Sequence, residues 1–212
     1  QVNKSKKFVE RVGMTKSKLM KIFYAYYDSD FGKVLPENRR FLIMKTICFL
    51  GAKRFNDIQK LRRRDVIVGE DGRVKIWLAR SKTDAMGAGC HFTLTKSRMG
   101  SVSVTALVEW YLRSLGDVGE DGYVFPVFRK GKAVETQAVS YCAARKQLLK
   151  ERVLLGLGRV SWHSGRIGGA TEASKKGLSR SVIMRAGGWR SSAVDSYIRV
   201  RDAGVQMGDA VL

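Results

Sequence analysis

The chain has 212 residues, two prolines and an ordinary apolar fraction of 44%, so it is long enough to bury the core of one sizeable domain. Lysines and arginines number 40 against 19 acidic residues, which gives a formal charge of +21. This excess predicts a nucleic-acid partner, with a merely basic soluble surface as the alternative. The basic residues are spread along the sequence rather than along one amphipathic segment, which argues against a membrane-surface protein.

The three cysteines, Cys48, Cys90 and Cys142, are far apart and form no Cys-x-x-Cys pair. They fit neither a disulfide framework nor a zinc site, and they indicate a reducing compartment. We therefore expect an intracellular protein, in the nucleus of a eukaryote or the cytoplasm or nucleoid of a prokaryote. No signal peptide is visible, and the most apolar run, residues 41–50, is too short to cross a bilayer. Because the sequence begins with Gln1, we expect it to be a piece of a longer protein.

The first third of the sequence predicts three helices. Residues 1–13 are polar and basic and are predicted to form an arm or linker before one folded domain over residues 14–200. Thr15 is a candidate N-cap for a helix over residues 17–29. Pro36 is predicted to begin a second, mostly buried helix over residues 37–52, which Gly51 ends or opens to a close neighbour. A third helix is predicted over residues 54–64.

The hydrophobic period then changes to that of strands. Strands are predicted over residues 66–68 and 74–78, around an Asp71-Gly72 turn, and over 90–94 after a loop at 82–89. An amphipathic helix over 102–116, an extended piece at 123–126 and a long helix over 135–156 follow. Three short helices are predicted over 164–176, 179–186 and 191–200. The tail, residues 201–212, is either a frayed end or a segment that packs on a neighbouring subunit. The predicted fold class is mainly α with a small three-stranded antiparallel sheet, an α+β domain.

Several candidate catalytic side chains have a structural interpretation when each is taken alone. A single histidine is more often structural than catalytic, an arginine or a loop lysine is usually solvated, and most tyrosines belong to the core. Their order is more informative than their identity. His163 and Arg166, at i and i+3, share one helix face. The full set, in chain order, is Arg54, Lys82, His163, Arg166, Trp189 and Tyr197.

This order resembles the catalytic domain of the tyrosine recombinase (phage integrase) family, whose signature is Arg…Lys…His-x-x-Arg…His/Trp…Tyr. The segment GAKRFNDIQKL is similar to the first arginine box, RSKT to the lysine turn, and HSGRIGGATEASKKG with VIMRAGGW to the second box. The resemblance covers nearly the whole chain. Trp189 stands where most members have histidine, and the interval from Trp189 to Tyr197 is one residue shorter than in the bacterial pattern. The segment GGWRSSA with this spacing is similar to recombinases of eukaryotic mobile elements, of the Crypton or DIRS-like kind.

The resemblance implies the tyrosine-recombinase catalytic fold and a cofactor-free reaction that cleaves and rejoins DNA. Tyr197 would be the nucleophile that forms a 3′-phosphotyrosyl bond, and Lys82 would protonate the leaving 5′ oxygen. The guanidiniums of Arg54 and Arg166 suit the non-bridging oxygens of a phosphate, because each presents a fixed fork of donors. Trp189 can donate one N–H to the same phosphate but cannot move a proton. A phenol is mostly protonated at neutral pH, so Tyr197 needs a nearby acceptor, which His163 could supply.

The remaining expectations concern partners. Asp57 is expected either to orient a catalytic side chain or to be an ordinary surface acid of a helix. The double-stranded DNA backbone is expected to contact further cations, namely Arg62, Arg63, Arg64, Lys96, Arg98, Lys175, Lys176 and Arg180, although each could also be merely solvated. The sequence offers no carboxylate cluster for a metal. A homo-tetramer on DNA is expected, with a monomer as the alternative without DNA.

Two other functions compete with a site-specific recombinase or transposon integrase. One is a type IB-like topoisomerase or telomere resolvase, which uses the same chemistry and handles the strands differently. The other is a DNA-binding relative that has lost catalysis. The complete set of six candidate residues argues against the second alternative.

Overall fold

The computed structural model describes residues 12–27, 34–79, 89–95 and 97–198, so most of the predicted N-terminal arm, the loop with Lys82, Lys96 and the tail after residue 200 lie outside the described residues. Seven α-helices run through the described parts: α1 Lys16–Tyr27, α2 Pro36–Leu50, α3 Phe55–Ile58, α4 Val104–Arg113, α5 Tyr141–Leu154, α6 His163–Lys175 and α7 Arg180–Gly187. In this part of the chain no helix is long and apolar enough to cross a membrane.

The predicted three-stranded sheet is confirmed with the predicted bounds. Strands β1 (Val66–Val68), β2 (Val74–Leu78) and β3 (Cys90–Leu94) pair antiparallel in the order β1-β2-β3. Along β2, Val74, Ile76 and Leu78 are buried and the residues between them are exposed, so one face of the sheet packs on the helices.

The prediction of a single sheet is wrong, because the described residues include two further ribbons. Strands β4 (Arg98–Met99) and β5 (Val102–Ser103) form one, and β6 (Pro126–Arg129) and β7 (Lys132–Ala138) form the other. The long helix predicted from residue 135 therefore begins only at Tyr141, where the Ser140 side chain caps it. Lys130 and Gly131 join β6 to β7 with φ angles of 49° and 76°. These angles belong to a hairpin turn in which Asn-Gly is the common sequence.

Two predicted helices are shorter than expected. The helix predicted over residues 54–64 ends at Ile58, and a 3₁₀ turn at Arg63–Asp65 follows. The 3₁₀ turn begins after Arg62, because the Asp65 carboxylate accepts the backbone N–H of Arg62 at 2.7 Å. Arg62 also pairs with Tyr123 in an isolated β-bridge. The helix predicted over 191–200 is a 3₁₀ helix over Ser192–Ser196, and residues 199 and 200 lie outside the described part. The predicted cap at Thr15 is confirmed, since its hydroxyl accepts the Lys18 N–H at 3.2 Å.

Helix α2 is the centre of the core, since every residue from Arg40 to Phe49 is buried. One charge within it is neutralised internally: the Lys45 ammonium lies 2.9 Å from Glu151 on α5. The Tyr26 hydroxyl donates to the same carboxylate at 2.5 Å. Burial and the neighbouring Glu151 raise the pKa of Tyr26 well above its ordinary value. This paired cluster joins α1, α2 and α5 without an uncompensated charge.

Helix α6 lies directly against the backbone of its neighbours because three glycines face them. A Cβ on Gly165 would stand 3.1 Å from the Cβ of Cys48. On Gly168 it would stand 1.7 Å from the carbonyl oxygen of Met14, and on Gly169 1.9 Å from that of Phe49. Side chains at these positions would push α6 away from α2. The glycine spacing of i, i+3 and i+4 therefore fixes the first turn of α6, which carries His163 and Arg166.

We expect Gly169→Ala to destabilise the protein by at least about 2 kcal/mol, because its methyl group would overlap a main-chain carbonyl that cannot rotate away. The free energy of unfolding from urea titration measures this, with Ser174→Ala on the same helix as the control, expected within about 0.5 kcal/mol of the parent. Equal stability of the two variants would contradict the close packing of α6.

Candidate active site

Arg166 is fully buried in the first turn of α6. Its Nη1 donates to two main-chain carbonyls, that of Ala52 at 2.6 Å and that of Gly187 at 2.6 Å. Its guanidinium carbon lies 3.5 Å from the centroid of the Trp189 ring. The other two nitrogens, Nε and Nη2, are buried without a hydrogen-bond partner. Since a buried charged donor without a partner is costly, this half of the guanidinium is available to an anion.

Burial, and after it the nearby charge of Arg54, lower the pKa of Arg166 to about 10, while Tyr197 and Asp57 act in the opposite direction. The guanidinium is therefore still charged at neutral pH. The influence of Arg54 indicates that the two guanidiniums are near enough to repel each other, and Arg54 lines one cleft together with His163, which lies one turn before Arg166 on α6.

Arg54 follows an unusual turn at the end of α2. Ala52 has a φ of 48°, the left-handed region that residues with a Cβ rarely adopt. This conformation turns the Ala52 carbonyl towards Arg166. Arg54 then caps α3, and the Asp57 carboxylate accepts its backbone N–H at 3.1 Å and lies 3.7 Å from its Nη1. Only 5% of the Asp57 side chain is exposed, so Asp57 holds Arg54 in place and is not a surface acid.

Trp189 reaches Arg166 because of the two glycines before it. Gly188 ends α7 in the left-handed conformation, with a φ of 69°. A Cβ on Gly187 would stand 1.8 Å from the Trp189 ring, so this glycine makes room for the indole. The indole Nε1 is buried and has no hydrogen-bond partner. It is a second donor, beside Arg166, that lacks an acceptor.

Tyr197 lies at the end of the 3₁₀ helix and meets the same group of side chains. Its ring centroid is 5.2 Å from that of His163 and 5.1 Å from that of Trp189. The Arg166 guanidinium carbon lies 5.4 Å from the Tyr197 ring centroid. The Thr171 hydroxyl donates to the Tyr197 carbonyl at 3.0 Å, which ties the tyrosine to α6. The short interval after Trp189 therefore still brings the phenol to the site.

The structure thus brings together five of the six residues singled out in the sequence: Arg54, His163, Arg166, Trp189 and Tyr197. Lys82 lies outside the described residues. Next to Arg54 and His163 an open cleft of about 400 Å³ is lined further by Phe55, Asn56, Tyr141 and Trp162. Within the described parts of the chain, no group of three or more histidine, cysteine, aspartate or glutamate side chains is arranged to hold a metal ion.

No protein-family model matches the chain. Among curated proteins, recombinase Cre of Escherichia phage P1 is 30% identical over 202 residues, which cover 84% of this chain and 57% of the phage protein. The chain is thus similar to tyrosine recombinases in both sequence and fold. It spans just over half the length of the curated relative that it matches.

Solved structures of tyrosine recombinases share the fold. XerA recombinase has a TM-score of 0.68 at 16% identity, over 95% of this chain and 65% of that chain. XerH site-specific recombinase, in a pre-cleavage complex with difH substrate, has a TM-score of 0.65 at 17% identity, over 94% and 53%. A lambda integrase tetramer bound to a Holliday junction has a TM-score of 0.58 at 16% identity, over 86% and 48%. The predicted fold class, mainly α with a small three-stranded antiparallel sheet, is confirmed.

Most cations that the sequence suggested for the DNA backbone have partners within the described residues of this chain. Arg62 donates to the Asp121 carbonyl at 2.6 Å and lies 3.8 Å from the centroid of the Tyr123 ring. Arg63 donates to the Val66 carbonyl at 2.9 Å. These two arginines brace the turn before β1. The remaining contacts are those of Arg64 with Asp121, Arg98 with the Ser101 carbonyl, Lys175 with Glu172 and Arg180 with Asp195.

The contact between Arg180 and Asp195 is different in kind, because it connects α7 to the 3₁₀ helix that carries Tyr197. Arg180 Nε and Nη2 donate to the two carboxylate oxygens at 2.7 and 2.8 Å. The hydrogen bond to Arg180 lowers the pKa of Asp195. Both groups are exposed, so the pair orients the segment more than it stabilises the fold. Lys176 is exposed, and Lys96 lies outside the described residues.

Three residues at this candidate site were not predicted from the sequence. Ala52 and Gly187 contribute only main-chain carbonyls, which no side-chain pattern reveals. Lys53 is 2% exposed and lies 4.5 Å from the centroid of the Phe92 ring on β3. The sequence carries one signal for Lys53, since it closely follows the apolar stretch that forms α2.

We expect Ala52→Val to destabilise the protein by about 2–3 kcal/mol, because a β-branched residue is strongly disfavoured at a φ of 48°. The matched variant Ala52→Gly relieves the strained conformation and should stay within about 1 kcal/mol of the parent. Urea titration of both variants tests this, and a valine variant as stable as the glycine variant would show that the turn is not strained.

Proposed function

We propose that this chain is the DNA-cleaving and DNA-joining domain of a site-specific tyrosine recombinase or integrase. The observation that supports this most directly is the convergence of Arg54, His163, Arg166, Trp189 and Tyr197 around one small volume. That volume contains unpartnered donors on Arg166 and Trp189 and a phenol beside them. A phosphodiester supplies both the acceptors that these donors lack and an electrophile for the phenol.

The donors bind the scissile phosphate. Arg166 would give Nε and Nη2 to the non-bridging oxygens, Trp189 would give its indole N–H, and Arg54 would contact the same group from the opposite wall. The negative charge on these oxygens increases when the phosphorus becomes five-coordinate. Fixed donors in a buried site stabilise that added charge more than they stabilise the ground state, by roughly 3–4 kcal/mol for one good donor.

Tyr197 would attack the phosphorus through its hydroxyl oxygen. The phenol proton passes to an acceptor, for which His163 is the candidate because its ring lies against that of Tyr197. The bond between phosphorus and the 5′ oxygen breaks, and Lys82 is proposed to protonate that oxygen. The products are a 3′-phosphotyrosyl bond and a free 5′-hydroxyl. Attack of a 5′-hydroxyl on this bond reverses the steps, so the strand is rejoined without ATP or a metal.

Double-stranded DNA is the partner that this proposal requires, in agreement with a formal charge of +21. Of the structures similar to this chain, one is a lambda integrase tetramer bound to a Holliday junction and another is XerH bound to difH substrate. We extend the assembly to this protein as part of the proposal, with four copies acting on two DNA duplexes. Recombination of a mobile element is the finer assignment, supported by the short segment between Trp189 and Tyr197.

Tyr197→Phe should abolish the covalent adduct that the wild-type protein forms on a nicked suicide substrate, because it removes the attacking oxygen and nothing else. Denaturing electrophoresis of protein with labelled DNA detects the adduct. Tyr24→Phe is the matched control, since Tyr24 is exposed on α1, and it should form the adduct at the wild-type rate. An adduct of equal yield with Tyr197→Phe would refute the proposed nucleophile.

Trp189→Phe should slow cleavage by about 10²–10³-fold, because phenylalanine keeps a ring against Arg166 and loses the donor. Trp189→His restores a donor and should cleave faster than the phenylalanine variant. Single-turnover rates on the suicide substrate, measured well below the melting temperature of each variant, give the comparison. Wild-type rates with Trp189→Phe would mean that the indole N–H contributes nothing to phosphate binding.

A further inference from the structure

Lys53 is a buried cation for which the proposed reaction has no role. It stands in the chain between Ala52, at the strained turn, and the proposed phosphate-binding Arg54, and it is 2% exposed as a residue. Its ammonium nitrogen lies 4.5 Å from the centroid of the Phe92 ring on β3. No ion-pair partner for it lies within residues 12–27, 34–79, 89–95 and 97–198. A buried ammonium without a counter-charge is costly, and an apolar residue would fit such a place better.

A second buried lysine in the same protein shows the ordinary solution. Lys45 is 4% exposed, and both oxygens of the Glu151 carboxylate lie 2.9 Å from its ammonium. Lys53, in contrast, has mainly charges of its own sign nearby. The charges that act on it include the guanidiniums of Arg54 and Arg166, and the Asp57 carboxylate opposes them. Three cations thus share one carboxylate, which leaves this corner of the site with an excess of positive charge.

We propose that Lys53 is a third cation of the phosphate site, whose missing counter-charge is the scissile phosphodiester of bound DNA. This inference rests on the proposed function. Lys53 does not touch the phosphate. It acts as a positioning residue, because its ammonium adds to the positive field at Arg54 and Arg166 and holds β3 against the arginine turn through Phe92. Charges buried in a medium of low dielectric interact strongly, so the field is greatest where the transition state gains charge.

The charge state of Lys53 should report on occupancy of the site. Burial lowers the pKa of Lys53, and Arg166 and Arg54 lower it further, while Cys90 on β3 and Asp57 on α3 raise it. An anion beside the two arginines favours the charged ammonium and raises this pKa again. Binding of an anion at alkaline pH should therefore take up a proton. Without an anion, the unfolded chain binds more protons than the folded one between the lowered and the ordinary value, so stability rises with pH in that window.

Lys53→Met is the informative variant, with Lys45→Met as its matched control. Methionine removes the charge and keeps most of the volume. Lys53→Met should melt at or above the wild-type temperature, because an uncompensated buried charge is gone, and should cleave suicide DNA about 10–100-fold more slowly. Lys45→Met leaves Glu151 buried without its partner and should melt at a lower temperature. If Lys53→Met cleaves within about twofold of wild type, or loses as much stability as Lys45→Met, Lys53 is a structural residue and the proposal is wrong.

A measurement without DNA tests the anion link itself. Inorganic phosphate is titrated into wild-type protein at several pH values between neutrality and the pKa of about 10 of Arg166, each time in two buffers of different ionisation enthalpy. The difference in heat gives the number of protons taken up. We expect uptake by wild type and by Lys45→Met, and less uptake by Lys53→Met. Equal uptake by wild type and Lys53→Met would overturn the proposal.

The two experiments separate failure of this inference from failure of the proposed function. A wild-type adduct on suicide DNA, together with proton uptake on phosphate binding that is the same without Lys53, would keep the recombinase function and remove the role of Lys53. Proton uptake that depends on Lys53, without any adduct, would keep the anion site and reject the strand-cleavage chemistry.

Discussion

The contact between the Arg166 guanidinium and two main-chain carbonyls determines how the rest of the site is built. The carbonyl of Ala52 belongs to the turn that carries Arg54, and that of Gly187 belongs to the end of α7, which carries Trp189. One side chain therefore fixes the relative positions of three segments that are distant in sequence. Because these bonds use only Nη1, the remaining nitrogens of the same guanidinium stay available for a ligand. Structure and phosphate binding thus depend on different edges of one planar group.

This arrangement requires backbone conformations and contacts that stability alone would not favour. Ala52 adopts a left-handed conformation to aim its carbonyl, and the glycines of α6 remove side chains so that the helix can lie on α2. Lys53, Arg54 and Arg166 place like charges close together with Asp57 as their carboxylate. A folded protein tolerates such strain at the site where its ligand relieves it. Lys45, a lysine buried elsewhere in the same core, is paired with the Glu151 carboxylate.

The sequence predicted the parts of this fold that depend on side-chain periodicity and on spacing. The three strands around Asp71-Gly72 have the predicted bounds, and the first turn of α6 carries His163 and Arg166 on one face as expected. The second ribbon could not be predicted, because its turn is formed by Lys130 and Gly131 and its strands carry no alternation of burial. Helix α3 stops early because Asp65 caps a new segment, a contact that local propensity does not encode.

The candidate site shows the same difference between features that the local sequence pattern predicts and features that tertiary contacts determine. Its side chains could be selected from their order, whereas the groups that hold them, the carbonyls of Ala52 and Gly187 and the hydroxyl of Thr171, are set by tertiary packing. Mapping the covalent adduct tests most directly whether Tyr197 is the residue that becomes joined to DNA. Wild-type protein trapped on suicide DNA is digested with trypsin and nuclease, and the modified peptide is sequenced by mass spectrometry. We predict a nucleotide attached through its 3′ phosphate to Tyr197, within the peptide of residues 191–199. Attachment to any other residue would show that Tyr197 is not the nucleophile, and attachment through a 5′ phosphate would contradict the proposed 3′-phosphotyrosyl bond.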